Sequence, residues 1–471
     1  MSAHGSGGSF SAFRRQATVA IQDIRLQESL EGATGRFRTS REVALANLPD
    51  AEEMRDRFKA MREATLAQLA THLQAFEQQA TQVGVTVHWA RDAAEAGAIV
   101  LDVARGHGVR LVTKSKSMAT EEIQLNQTLI DGGVEPVETD LGEWIIQLAE
   151  EPPSHIIAPA IHKTREQVAA LFTDNTGETI PANDIPRLTA EARRILRQKF
   201  LDAGMGVSGV NIGVAETGSI VLVTNEGNGR MVTSTPPVHV AIMGIEKIAP
   251  SWDDAALWLS LLARSATGQP MSIYTSIITG PAQAGDPDGP QEVHIVLLDN
   301  GRSRLLGTAY EEVLQCIRCG ACLNACPVYR EAGGHAYGSP YSGPIGAVVS
   351  PLIFGLDRYP ALPHASSLCG ACRDVCPARI DLPRMLLALR ADEVSQRILP
   401  WHERKAEEAA AAALANRQRL SILGRAVRLL QRPLATDGSL RLPEFLNPAA
   451  GRDLPSLAPK SFRDMWADGE V

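Results

Sequence analysis

Three observations predict the fold class of this 471-residue chain. Between about residues 85 and 300, short apolar strands alternate with helical segments, the succession of a parallel sheet with crossover helices. All seven cysteines fall between Cys316 and Cys376, in tightly spaced runs. From Leu382 onward the chain is rich in Ala, Arg and Leu, with Ala409 to Ala415 made only of Ala and Leu, both strong helix formers. The expectation is an α/β domain, a small α-helical cysteine-rich domain and a helical C-terminal extension.

The elements follow in order. Residues 1 to about 85 read as polar helix, with Leu66, Leu69, Leu73 and Phe76 at helical spacing, an N-terminal arm or cap. Val85 to Trp89 reads as a strand, Ala93 to Arg105 as a helix, Val109 to Thr113 as a strand and Thr120 to Ile130 as a helix. Val134 to Val137 is a short strand, Leu141 to Leu148 a helix and His155 to Ala158 a further strand. After a helix over Ala190 to Leu201, the strands are Asn211 to Ala215, Ser219 to Thr224, Val238 to Met243, Met271 to Ile278 and Val293 to Leu298. The tail beyond Arg432 carries scattered prolines, ends Phe462-Arg-Asp-Met-Trp466 and reads as an extended or docking segment.

Composition narrows the function classes. Hydrophobic residues make up 44% and charged residues 21%, ordinary for a soluble protein. The net charge of −8 argues against a nucleic-acid partner, which needs a basic patch. No apolar run approaches the roughly 18 residues of a membrane span; Val348 to Leu356 is short and broken by Pro351. Phe13-Arg14-Arg15-Gln16 has the look of a twin-arginine signal, but Ala17 to Ile21 runs at once into Gln22, Asp23 and Arg25, so an amphipathic first helix is the better reading. Seven cysteines committed to binding runs, with none left for a disulfide, fit a cytoplasmic location.

The cysteines carry the chemistry. The first run, Cys316-Ile-Arg-Cys319-Gly-Ala-Cys322-Leu-Asn-Ala-Cys326-Pro327, is a full C-x2-C-x2-C-x3-C-P pattern; the second is Cys369-Gly-Ala-Cys372-Arg-Asp-Val-Cys376-Pro377. Two-residue spacers let successive thiolates converge on one small object, and in two-cluster ferredoxins the Cys before Pro ligates the other cluster. Cluster one is therefore expected on Cys316, Cys319, Cys322 and Cys376, and cluster two on Cys326, Cys369 and Cys372. Cluster two is one thiolate short, and Ser366 stands where its first cysteine would be. Three readings are open: a [4Fe–4S] cluster with Ser366 or another oxygen or nitrogen ligand, a corner completed by water or a partner, or a [3Fe–4S] cluster. A [4Fe–4S] cluster with an unusual corner is favoured. Zinc on C-x2-C pairs is the competing chemistry; the three-cysteine loop and the two Cys-Pro endings favour iron–sulfur.

Weaker signals have bland explanations beside them. Gly204-Met-Gly206-Val-Ser-Gly209 matches G-x-G-x-x-G but follows a helix, so a loop or turn is expected instead of a dinucleotide site. Lys114-Ser-Lys116-Ser-Met118 lies at the carboxyl end of a strand, where it could hold an anion or simply cap a helix. Glu216 to Ser219 and Asn225 to Arg230 read as hairpin turns. His155, His162 and His335 read as structural or surface residues, His335 lying in the Gly/Pro-rich insert Gly333 to Pro344.

Lys114 to Glu122, Asn211 to Ser219, Pro236-Pro-Val-His239 and the two cysteine runs together resemble the lactate utilization protein B family. The resemblance implies an N-terminal helical arm over 1–69, an LUD domain over 70–302 with a sheet similar to ribose-phosphate isomerase and CoA-transferase folds, a ferredoxin-like iron–sulfur domain over 303–395 and a C-terminal extension over 396–471. It implies an electron carrier in the oxidation of L-lactate to pyruvate, acting with a cysteine-rich iron–sulfur subunit and a second LUD-domain subunit. The missing eighth cysteine looks normal for that family. Two rivals stand beside this: an LUD domain that itself binds or oxidises a hydroxy acid at Lys114, Lys116 and Glu216, and an iron–sulfur redox sensor.

Overall fold

The structure is a computed structural model that describes residues 9–399, 401–436, 438–440 and 454–470. It divides into two compact units, residues 1–393 and 394–471.

The first unit is organised on a six-stranded sheet. Its strands belong to a series of ten: β1 (Thr86–Ala90), β2 (Leu111–Lys114), β3 (Glu135–Glu138), β4 (Met205–Gly209), β5 (Ile212–Val214), β6 (Ser219–Thr224), β7 (Val238–Gly244), β8 (Ile248–Ala249), β9 (Tyr274–Ile278) and β10 (Glu292–Leu298). The sheet order is β1-β10-β7-β4-β2-β3, and every neighbouring pair is parallel. Parallel strands are covered on both faces and read as continuous apolar runs; β7 is buried at every residue. Alternation along β2 separates the two faces. Val112 joins a core with Val100, Leu125 and Leu129, and Leu111 packs on another with Trp144, Phe172 and Phe200. A second, mixed sheet has the order β8-β5-β6-β9.

Four stretches depart from the sequence expectations. His155 to Ala158 is not a strand; the His155 ring Nδ1 accepts from the amides of Ile157 and Ala158 and curls the chain into a turn. Met205 to Gly209, expected as a loop, is β4 at the middle of the sheet. A Cβ on Gly206 would lie 1.9 Å from the Val232 carbonyl, so this glycine serves close helix-on-strand packing. Asn228 to Arg230 opens the helix Asn228–Ser234 and is no hairpin turn. The helix expected over Thr120 to Ile130 is broken into Met118–Glu122 and Leu125–Asp131 at Gln124, which sits at φ 53°.

Helices α1 (Phe10–Gln22), α2 (Ile24–Ala46), α3 (Ala51–Ala67) and α4 (Leu69–Gln82) lead into the sheet. Asp23 ends α1 and caps α2, accepting from the Leu26 amide at 3.1 Å. Phe58, Leu66, Leu69, Leu73 and Phe76 are all buried. The cysteine-rich part is built of short helices, Ala321–Ala325, Pro327–Ala332 and Ala371–Asp374, around the apolar helix Gly343–Phe354, which is buried from Gly343 through Pro351. Most of the apolar run Val348 to Leu356 is thus core of this part.

Among its described residues, the second unit holds the helices Trp401–Leu414 and Arg417–Gln431, three short strands and the helix Phe462–Ala467. The Phe462 to Trp466 end of the tail is therefore helical; residues 441–453 lie outside the described residues. No helix among the described residues is long and apolar enough to cross a membrane.

Candidate iron–sulfur centre

The two cysteine runs share a backbone conformation. In the first loop Arg318 and Gly320 have φ of 59° and 76°; in the second, the equivalent Leu368 and Gly370 have 54° and 86°. Positive φ is uncommon away from glycine, so the shared conformation is a specific feature of both loops. It turns the amide of Arg318 onto Cys316 Sγ at 3.4 Å and the amide of Leu368 onto Ser366 Oγ at 3.1 Å. Cys326 caps the helix that Pro327 opens, its sulfur accepting from the Tyr329 amide at 3.5 Å.

The seven thiols fall into two groups. Cys316, Cys319, Cys322 and Cys376 line one small hollow, closed by Ile345 and Pro377. Burial pushes the Cys319 thiol up to about 12, with Cys376 and Cys316 adding to the shift; burial likewise holds Cys376 up at about 11. In the other group, burial and then Cys326 push Cys372 up to about 12, with Cys369 contributing. Cys369 is exposed. Thiols in such places keep their protons unless a metal takes the proton's place. Among the described residues, the group of three His, Cys, Asp or Glu donors lying within 4.8 Å of one another is Glu151, His162 and His335. No three of the described thiols are that close, whereas tetrahedral zinc with bonds of about 2.3 Å needs sulfurs about 3.8 Å apart. The wider spacing suits a cage of several metal atoms.

Arginines from the N-terminal helices hold the loops. Arg41 donates to the Val375 carbonyl at 2.7 Å, and Arg55 to the carbonyls of Asp374 and Cys376 at 2.5 and 2.8 Å. Arg62 donates to the carbonyls of Glu246, Ile248 and Leu314 and lies 4.5 Å over the Trp258 ring. Lys247 donates to the Cys316 carbonyl at 2.6 Å. None of these cations stands out in the sequence as a site residue. A signal exists for two of them: Arg55 and Arg62 lie two turns apart, on the face of α3 that also carries Phe58 and Leu66.

A buried ionic network joins the sheet to the first loop. Arg302 pairs with Glu122 at 2.8 Å and Glu246 at 2.7 Å, and the Tyr341 hydroxyl donates to Glu122 at 2.5 Å. Burial opposes the Glu246 carboxylate, but Arg302, Lys247 and Arg318 overcome it and hold the group down at about 2. His155 Nε2 meets Asn324 Oδ1 at 3.1 Å, and His335 Nε2 meets the Pro152 carbonyl at 2.8 Å. These histidines brace the 151–163 segment against the cysteine-rich part.

The three residues considered for a hydroxy acid do not converge. Lys114 is buried against Glu138 and Asn126. Glu216 is exposed and accepts from the Trp252 amide at 3.0 Å, at the start of the helix Trp252–Ala266. Lys116 alone of the three lines a cavity of about 780 Å³ at the carboxyl ends of β2, β4 and β7, a cavity that Cys319 also lines.

The sheet and the cysteine-rich part each match a known family. Residues 73–298 match the LUD domain and residues 312–380 the 4Fe-4S dicluster domain. The chain is 42% identical over 464 residues to lactate utilization protein B of Bacillus subtilis (strain 168), covering 98% of this chain and 97% of the relative. It is 41% identical over 459 residues to lactate utilization protein B of Shouchella clausii (strain KSM-K16), covering 96% of each. It is 44% identical over 378 residues to the uncharacterized electron transport protein YkgF of Escherichia coli (strain K12), covering 80% of this chain and 79% of the relative. An LUD domain on a parallel α/β sheet, joined to a 4Fe-4S dicluster domain and matched along nearly its whole length, places this chain in the lactate utilization protein B family.

Proposed function

We propose that this protein is the iron–sulfur electron-transfer subunit of a cytoplasmic system that oxidises L-lactate to pyruvate, working with a cysteine-rich iron–sulfur subunit and a second LUD-domain subunit. The observation that carries the reading is the sorting of seven thiols from two distant runs into two groups. Cys316, Cys319, Cys322 and Cys376 hold one [4Fe–4S] cluster. Cys326, Cys369 and Cys372 hold a second, with the Ser366 hydroxyl at its remaining corner. Bound there, such clusters pass single electrons.

The chain's own residues set the conditions. The cysteine loops fix the positions of the sulfurs, Arg41 and Arg55 fix the loop carrying Cys376, and the cationic surroundings favour added negative charge. Two electrons leave each lactate, so two one-electron sites in one chain suit the stoichiometry. The test is anaerobic purification with iron and sulfide counts and EPR. About eight irons per chain and reducible cubane signals are expected. Zinc without iron would sink the reading.

A further inference from the structure

The cavity beside the first cysteine loop has no role in the electron-carrier reading. Its volume of about 780 Å³ lies in the range of small-molecule sites, roughly 300–1,000 Å³. It opens at the carboxyl edge of the parallel sheet, the usual place for ligands in such folds. Ser115 and Lys116 come from the end of β2, Asn211 from the turn after β4, and Ile317 and Cys319 from the first cysteine loop. Ile317 and Cys319 also line the hollow that gathers four cysteines. The two spaces therefore share a wall.

Lys116 is the unusual group in it. Among the described residues its ammonium makes no hydrogen bond and no ion pair. The nearby carboxylates are already engaged: Asp140 accepts from the amides of Gly142 and Glu143, and Glu226 from that of Leu141. Burial pushes Glu143 and Glu226 towards their neutral forms and lowers Lys116 itself, so the lysine's charge, which Asp140, Glu143 and Glu226 favour, is only partly supported from within the protein. The charge also reaches His155, whose ring lies 3.2 Å from where a Cβ on Gly320 would stand. A half-buried cation that faces a cavity with unused donors calls for an anion.

We propose that this cavity binds a small redox-active organic anion, with its carboxylate or phosphate on Lys116 and its remainder against the Cys319 loop. The proposal rests on the electron-carrier reading for the identity of the group behind that loop. Two sources share the chemistry: a 2-hydroxy or 2-oxo acid, and a phosphate-bearing flavin.

The experiment uses the full chain, purified anaerobically with its iron content verified. L-lactate, pyruvate and flavin mononucleotide are each titrated by calorimetry, and EPR is recorded with and without each. One of them is expected to bind and to perturb the signal of the cluster on Cys319. Lys116→Met should weaken that binding about tenfold or more, the loss of one charge-assisted contact, and Lys116→Arg should retain most of it. Iron counts and the ligand-free EPR spectrum check that both variants are folded and loaded. Binding by lactate or pyruvate alone identifies the acid; binding by the flavin alone identifies the cofactor. No binding by any of the three to iron-loaded protein, or binding indifferent to Lys116→Met, overturns the site and leaves the electron-carrier reading standing. Protein without iron overturns that reading instead.

Discussion

Arg55 Nη2 donates to the backbone carbonyl of Cys376 at 2.8 Å, across 321 residues of chain. The same nitrogen reaches the Asp374 carbonyl at 2.5 Å. A helix near the N-terminus thus holds the turn that brings the last cysteine to the first three. It also sets a cation close to that group of sulfurs.

Removing this cation should be legible in the redox potential. Arg55→Met deletes a positive charge near Cys376, which disfavours the reduced, more negative state. The midpoint of the cluster on Cys316, Cys319, Cys322 and Cys376 should fall by tens of millivolts, on the order of 50 mV for a partly screened charge. EPR-monitored redox titration measures it. An unchanged midpoint at full iron content would show that Arg55 acts on the backbone alone.

Ser366 supplies a second test. Its hydroxyl accepts from Leu368 as the Cys316 sulfur accepts from Arg318, so a thiol there would inherit a loop already shaped for it. Ser366→Cys should raise the oxygen tolerance of the second cluster and keep its full iron count. Ser366→Ala should make that cluster lose iron more readily. Equal iron retention in wild type, Ser366→Ala and Ser366→Cys would remove the serine from the coordination.

Much of this architecture is legible in the sequence, for identifiable reasons. Strands such as Ser219 to Thr224 and Val238 to Met243 are apolar runs bounded by turn residues, and the folded elements match them closely. Met205 to Gly209 is hidden because two glycines suppress strand propensity, and only packing against Val232 explains Gly206. His155 to Ala158 misleads because three apolar neighbours look like a strand, while a side-chain bond to His155 decides the turn. The cation set around the cysteines is beyond reach for another reason. Arg41 and Arg55 meet the loop carrying Cys376, and Arg62 the Leu314 carbonyl just before the first cysteine run, through contacts more than 250 residues apart in sequence, which local pattern cannot show.

The Glu122–Arg302–Glu246 network makes a stability prediction. All three groups are buried, and Arg302 is the cation between the two carboxylates. Arg302→Met leaves Glu122 without its cation and Glu246 with only Lys247 and Arg318, at 4.0 and 3.9 Å, which should cost about 3–5 kcal/mol. Glu246→Gln keeps the shape and one carboxylate, and should cost less. Urea unfolding followed by circular dichroism ranks the two. A loss below about 1 kcal/mol for Arg302→Met would mean that water or the Arg318 side chain replaces the missing charge.

Three histidines packed inside the fold give stability a pH dependence with a definite sign. Burial, with Lys116 beside it, lowers His155 to about 3; burial and His335 lower His162 to about 4; burial and His294 lower His239 to about 4, each from 6.5. Below pH 6.5 the unfolded chain takes up protons that the folded chain refuses. The stability these histidines contribute is therefore fully present above about 6.5 and is lost as the pH falls towards 4, by up to about 1.4 kcal/mol per pH unit for each histidine, while Glu121, which burial raises to about 7, acts with the opposite sign. His239 is the best probe because it lies in β7 with its Nε2 against Ser208 Oγ at 2.8 Å, in the sheet and not in a cysteine loop. His239→Asn removes one such proton site, so the slope of unfolding free energy between about pH 6.5 and 5 should drop by up to about 1.4 kcal/mol per pH unit. A slope unchanged by the substitution would mean that His239 takes up its proton in the folded protein as readily as in the unfolded chain.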